Sequence, residues 1–199
     1  MKSKKVSWAI LILMALAGLL LLILAGTTWK VIPPENVEEA AHVFITQYAS
    51  HTRLTIPLDK PIRAVEYGFG DWWYYAVMER GLRSGLRALF LPTDSAISRR
   101  VIPWGQSLKV VQQHLGGART EAIAVDSSRL TKLRAKFEDH WHSLDAADEV
   151  LHPGTGTVYR RTKEPYHIMN NSNARTADWL RTLDCEINGL SLTGNFIVE

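Results

Sequence analysis

A polar run, Asn-Asn-Ser-Asn at residues 170–173, stands directly before a segment whose apolar residues follow helical spacing, 174–183. Ser172 is therefore predicted at a helix N-terminus, where the macrodipole and free backbone N–H groups stabilise developing negative charge. A serine hydroxyl attacks a carbonyl carbon only when a base removes its proton. His51, at the start of a predicted strand and outside any clear apolar stripe, is the best candidate for that base. The simpler interpretation is that Ser172 or Asn173 only caps the helix.

Other residues with chemical potential form weaker patterns. His140 and His142 resemble a pair of metal ligands, but two positions apart on a predicted helix they do not share a face. Gly68 and Gly70 lack the third glycine of a dinucleotide site, and residues 152–156 lack the Gly-Lys-Ser/Thr of a phosphate loop. These glycines indicate turns. The sequence predicts no metal and no cofactor.

An aromatic block, Trp-Trp-Tyr-Tyr at residues 72–75, follows the Gly-x-Gly turn. Large aromatic side chains dominate protein cores, so the block is typical of buried packing. Its other interpretation is the lining of an apolar groove, which would suit a ligand carrying an acyl chain. The sequence leaves both interpretations open.

The elements that position these residues alternate between strand and helix patterns. The strand patterns on either side of residue 50 predict a bent strand or a hairpin, and Asp126 is a predicted helix cap. The mixture predicts an α+β domain. The predicted strands are 42–48, 51–57, 62–67, 96–103 and 121–125, and the predicted helices are 80–90, one after 126–128, and 174–183.

The N-terminal region differs sharply from the rest in hydropathy. Residues 6–29 carry no charge and are long enough to cross a bilayer as a helix, while three lysines precede them. We therefore expect a cytoplasmic tail at 1–5, a transmembrane anchor at 6–29, a linker at 30–41 and a soluble domain at 42–199. The expected location is single-pass in a bacterial inner membrane, with the domain periplasmic or extracellular. A cleaved signal peptide is the competing interpretation.

Charge and cysteine content exclude several functions. The chain has 23 basic and 20 acidic residues, and three of the basic ones lie in the first five positions. The remainder is neutral, so nucleic acid is not an expected partner, because that function needs a basic patch on the domain. Cys185 is the single cysteine, which excludes an internal disulfide and a cysteine-based zinc site.

Four short segments in order resemble a bacterial membrane-associated family that is defined only as a domain of unknown function. That family is related to circularly permuted papain-like proteins, the NlpC-like and lecithin:retinol acyltransferase-like group. The resemblance therefore implies a permuted papain-like domain with a small antiparallel sheet packed on helices. The resemblance covers most of the chain after residue 42. Its segments are 51–52 with 56–57, 65–71, 88–93, and 171–173 with 176–180.

The resemblance implies roles for particular residues. His51 takes the position of the base, Ser172 takes the position of the nucleophilic cysteine, and Glu66 or Asp71 orients the imidazole. Since serine replaces cysteine, the site is either a Ser–His enzyme or an inactive relative that keeps a binding groove. The first alternative predicts hydrolysis or transfer of an acyl or amide group, and the second a binding or scaffolding module. The expected partners are the lipid bilayer and a lipid, lipoprotein or peptidoglycan substrate.

Overall fold

The computed structural model describes residues 8, 11, 12, 15, 18, 26–58, 63–103, 108–115 and 119–199, without the side chains of 103 and 108–110. Strands account for much of these ranges. They are β1 Trp29–Ile32, β2 Ala40–Tyr48, β3 His51–Pro57, β4 Arg63–Asp71, β5 Thr93–Pro103, β6 Arg119–Asp126, β7 Glu149–His152, β8 Thr157–Tyr166, β9 Glu186–Asn188 and β10 Phe196–Val198.

Helices occupy the connections between these strands. A π-helical turn at Trp72–Ala76, here called the aromatic turn, follows β4, and a short 3-10 turn lies at Ala146–Asp148. The α-helices of the described ranges after residue 26 are α1 Leu82–Phe90, α2 Leu108–His114, α3 Ser127–Ser143 and α4 Ser172–Arg181.

The strands form two sheets. The larger has seven antiparallel strands in the order β6-β2-β3-β4-β5-β8-β7, and the smaller has the order β10-β1-β9. In the smaller sheet β1 is parallel to β10 and antiparallel to β9. The expected small antiparallel sheet is therefore corrected to one of seven strands beside a second of three.

Alternating side chains give the larger sheet two different faces, as strand geometry requires. One face packs on α3 and α4 and holds the main core. Leu130, Leu133, Phe137 and Trp141 supply the buried stripe of α3, which begins where Asp126 accepts from the backbone N–H groups of residues 128 and 129. The opposite face, here called the far face, carries Phe44, Arg53, Glu66 and Arg100, with α2 at one end and the aromatic turn at the other.

No helix among the described residues is long and apolar enough to span a membrane. This finding overturns the transmembrane anchor expected over residues 6–29, together with the single-pass location in an inner membrane. Of that range the structure describes five isolated helical positions and residues 26–29, and the others lie outside the described residues. Trp29, the end of the expected anchor, is fully buried in β1, and its ring lies tilted against that of Phe196 with 5.7 Å between the centroids.

Candidate functional site

The N-terminus of α4 is closed by Asn171. Its side-chain oxygen accepts from the backbone N–H groups of Asn173 at 2.8 Å and Ala174 at 2.9 Å. Its amide nitrogen donates to the carbonyl oxygens of Ile168 at 2.7 Å and Leu192 at 3.2 Å. The polar run therefore forms a helix cap that also fixes the neighbouring loops, and two first-turn N–H groups already have acceptors.

Asn173 joins α4 to the start of β3. Its amide nitrogen donates to the carbonyl oxygens of Ser50 at 3.0 Å and Leu192 at 3.3 Å, and its oxygen accepts from the Thr52 hydroxyl at 3.1 Å. Thr176 adds a bond to the carbonyl oxygen of Thr52 at 3.3 Å. These contacts hold the residues on both sides of His51 against the first turn of α4.

Ser172 lies at a cavity of about 220 Å³, here called the Ser172 cavity. Ser172 is almost entirely buried, its carbonyl oxygen accepts from the Thr176 hydroxyl at 3.0 Å, and within the described ranges its own hydroxyl forms no hydrogen bond but is not among the fully buried polar atoms without a partner. None of the described residues that line the cavity is charged. Besides the Asn171–Asn173 turn, the wall includes Tyr74, Tyr75, Gly85, Ala88, Leu89, Tyr166 and Leu192.

Tyrosine hydroxyls border this cavity. Burial raises the pKa of Tyr75 to about 12 and raises the pKa of Tyr166 further, while the backbone N–H of Ser172 opposes the rise at Tyr166. Both phenols therefore stay protonated at neutral pH. The cavity offers hydroxyl groups and aromatic surface, and its chemistry is that of a neutral polar site.

His51 begins β3 and points to the face opposite Thr52, because successive strand residues alternate. Its ring stacks on Tyr48 at 5.7 Å and meets the ring of Tyr75 edge-on at 5.2 Å, both measured between centroids. Burial lowers the pKa of His51 to about 3, helped by the charges of Arg53 and Arg80. His51 is therefore neutral, and it is a weak base.

Within the described ranges, His51 forms no hydrogen bond with Ser172, Glu66 or Asp71, which are its expected partners. Tyr75 is the residue that connects the two regions, since its ring contacts His51 and also lines the Ser172 cavity. Gly70 leaves room for that ring, because a Cβ there would lie 2.6 Å from Cδ2 of Tyr75. The role of His51 and Ser172 as a catalytic pair stays a prediction.

Glu66 is fully buried in a network on the far face. Its carboxylate accepts from the hydroxyl of Tyr48 at 2.6 Å and pairs with Arg53 at 3.1 Å and Arg100 at 3.0 Å. Arg53 also donates to the hydroxyl of Tyr159 at 3.1 Å. Glu66 reaches His51 only through the stacked ring of Tyr48, so its contacts are those of a buried ion-pair network.

Asp71 caps the aromatic turn. Its carboxylate accepts from the backbone N–H of Tyr74 at 2.6 Å and from the hydroxyl of Thr93. Within this turn, Trp72 is buried against Ala96 and Tyr159, whereas Tyr74 and Tyr75 line the cavity. Within the aromatic block, Trp72 therefore packs in the core, whereas Tyr74 and Tyr75 line the cavity. Asp71 holds the backbone of Tyr74 in place.

The described residues contain no group of three His, Cys, Asp or Glu side chains arranged for a metal ion. His142 is exposed near Glu138, and His140 borders a separate depression between α3 and α4. The thiol of Cys185 is buried, which raises its pKa to about 12 with a further contribution from Asp184.

Two contributors to the cavity were not predicted from the sequence, Tyr166 and the inner face of α1, whereas Tyr75 belongs to the aromatic block for which groove lining was one of the two interpretations. The small residues Gly85 and Ala88 were the available signal for α1, because three positions apart they lie on one helix face and permit close approach. Nothing local marks Tyr166, which reaches the cavity from the end of β8.

Comparisons with known protein families, with curated proteins and with solved structures find no match for this chain. The resemblance to permuted papain-like proteins is untested by them and stays a prediction.

Proposed function

We propose that this domain is a binding module that holds an uncharged acyl or amide group in the Ser172 cavity. The observation that carries the proposal is the cavity wall, which combines aromatic and aliphatic surface with hydroxyl groups and has no charge among its described residues. A charged ligand would lose its hydration without gaining a counter-ion. Lipids, lipoproteins and peptidoglycan peptides are sources of such neutral groups.

Binding is better supported than turnover for three reasons. The hydroxyl of Ser172 has no base as a hydrogen-bond partner among the described residues. The lowered pKa of His51 leaves a weak base. Asn171 occupies two backbone N–H groups that would otherwise stabilise an oxyanion.

The second candidate is acyl or amide hydrolysis or transfer by Ser172. One observation favours it: the ring of Tyr75 borders both His51 and the Ser172 cavity. In that reaction His51 would remove the Ser172 proton, Oγ would attack the carbonyl carbon, and the proton would pass to the leaving group.

Ligand-detected NMR tests the binding proposal. Hexanamide and N-acetylalaninamide are expected to receive saturation from the protein, whereas hexanoate and hexylamine are not. Gly85→Leu places a side chain in the cavity and should abolish the signal, and Gly154→Leu is the matched control in open space. Equal signals from the charged compounds, or signals that survive Gly85→Leu, would contradict the proposal.

Labelling with an acylating probe separates binding from catalysis. Under the binding proposal, the protein shows no labelling that depends on Ser172 or His51, as Ser172→Ala and His51→Ala would reveal. Ser172→Cys should react with thiol reagents no faster than Leu151→Cys, which is an ordinary exposed position. Much faster reaction at position 172 would instead support the catalytic candidate.

A further inference from the structure

Helix α1 turns three of its four large apolar side chains away from the protein. Leu82, Leu86 and Phe90 are four residues apart, so they form one stripe along the helix. Their exposed fractions are 81%, 41% and 54%. The inner side of the helix, which lines the Ser172 cavity, carries Gly85, Ala88 and Leu89. An amphipathic helix normally buries its apolar stripe, so this orientation calls for an external apolar partner.

The apolar surface continues beyond the ends of α1. Val77 and Met78 precede the helix and Leu91 follows it, and all three are exposed. A shallow groove of about 600 Å³ runs beside Leu86, Phe90 and Leu91. We call the six exposed side chains the α1 surface; they are Val77, Met78, Leu82, Leu86, Phe90 and Leu91.

Positive charge surrounds the α1 surface. Three arginines lie within this surface or at its edge: Arg80, Arg83 and Arg87. Glu79 is the only acidic residue between 77 and 91, and it pairs with Arg87 at 3.6 Å. Arg80 donates to Sδ of Met78 at 3.2 Å, and among the described residues neither Arg80 nor Arg83 forms an ion pair, so both can meet external negative charge. Arginine stems cover apolar surface while their guanidinium groups reach polar surroundings.

We propose that the α1 surface docks peripherally on a lipid bilayer that contains anionic phospholipid. A helix with leucine and phenylalanine on one side and arginines at its edge is suited to lie in the headgroup region, with its apolar side chains among the acyl chains. The arginines then face phosphate groups. Because the inner side of α1 lines the Ser172 cavity, docking brings the cavity next to the lipid surface.

The proposal is independent of whether the cavity binds a ligand. Failure of docking leaves the NMR result with Gly85→Leu unaffected, and an empty cavity leaves docking unaffected. The two proposals are therefore distinguishable by experiment.

An environment-sensitive fluorophore on the full chain tests the docking. It is attached at Leu82→Cys, with Leu151→Cys as the matched exposed control on β7. Vesicles of phosphatidylcholine with phosphatidylglycerol should shift the emission at position 82 to shorter wavelength and leave position 151 unchanged. Cys185 is buried and its raised pKa keeps it unreactive.

Charge removal provides the second measurement. Arg80→Gln with Arg83→Gln should weaken binding to the anionic vesicles by about fivefold for each charge at low salt. Lys132→Gln with Lys136→Gln on α3 is the control and should have little effect. Three outcomes would overturn the proposal: equal shifts at positions 82 and 151, binding unchanged by loss of the arginines, or a shift without vesicles that grows with protein concentration. The last result would identify a second copy of the chain as the occupant.

Discussion

Two helices bound the Ser172 cavity, and the structure attaches them in different ways. Helix α4 begins at an asparagine cap, and Asn173 in its first turn ties it to two other segments. Helix α1 begins after Gly81, which provides no side-chain cap, and it contains a glycine at position 85. Buried hydrogen bonds are costly to break, whereas an uncapped helix with a glycine is weakly favoured.

This difference assigns separate tasks to the two walls. The α4 wall fixes the position of Ser172 and of the β3 residues beside His51. The α1 wall is the one we expect to open first, because local opening follows regions with few buried interactions. A ligand would therefore enter past α1 and be oriented by α4.

The largest expected effect comes from breaking the α4 wall. Asn173→Ala removes the bonds to the Ser50 carbonyl group and the Thr52 hydroxyl, while the Leu192 carbonyl keeps its bond from Asn171. The free energy of unfolding should fall by about 3 kcal/mol or more, measured by urea denaturation. Asn188→Ala, at an exposed position, should change it by less than about 0.5 kcal/mol. Similar losses from both substitutions would remove the distinction between the two walls.

The dependence of stability on pH tests the environment of His51, whose neighbours in β3 are held by the α4 wall. In the unfolded chain His51 binds a proton near its ordinary pKa of 6.5, whereas in the folded chain it stays neutral down to about 3. Stability present above pH 6.5 is therefore lost as the pH falls toward 3. Between pH 7.5 and 5.0 we expect His51 to account for a loss of about 2 kcal/mol.

The comparison that isolates this contribution uses two variants. His51→Phe keeps an aromatic ring between Tyr48 and Tyr75 but does not titrate, so its stability should fall less on acidification than that of the parent. His142→Asn removes an exposed histidine and should retain the full loss. If His51→Phe and the parent respond equally to pH, His51 is not held neutral by the fold.

The smallest effect comes from strengthening α1. Gly85→Ala should raise the free energy of unfolding by about 0.5 to 1 kcal/mol, since the nearest atom to the added Cβ is Cε2 of Tyr74 at 3.9 Å. Amide exchange should slow in α1 and not in α4. The reverse change on an exposed helix position, Ala135→Gly in α3, should lower stability by a comparable amount. Equal slowing in both helices would mean that they open as one unit.

The hairpin and its neighbours could be predicted from local patterns. Residues 42–48 and 51–57 match β2 and β3, and Asp126 caps α3 as its position before two serines indicates. Ser172 was expected at a helix N-terminus, and it begins α4. These features depend on neighbours in sequence, for which periodicity and capping are informative.

Features that depend on distant residues could not be predicted in the same way. The charged residues of β8 hide its strand pattern, since Arg160 lies over the ring of Trp141 and Arg161 lies near Trp72 only in the folded chain. Strand β1 begins at Trp29, the last residue of the expected anchor, and continues through residues 30–32 of the expected linker, so no strand was predicted there. Strand alternation places His51 on the face opposite Thr52, a relation that required knowing which face α4 covers.

The pairing of β1 has a consequence for how the chain folds. Trp29 aligns with Phe196 in β10, and Lys30 aligns with Asn188 in β9. Both partners of β1 are thus synthesised at the far end of the chain, and contacts of such sequence separation form slowly. During translation Trp29 and Val31 remain without their partners until residues 186–198 have also left the ribosome. The smaller sheet is therefore expected to be the last part of the protein to assemble.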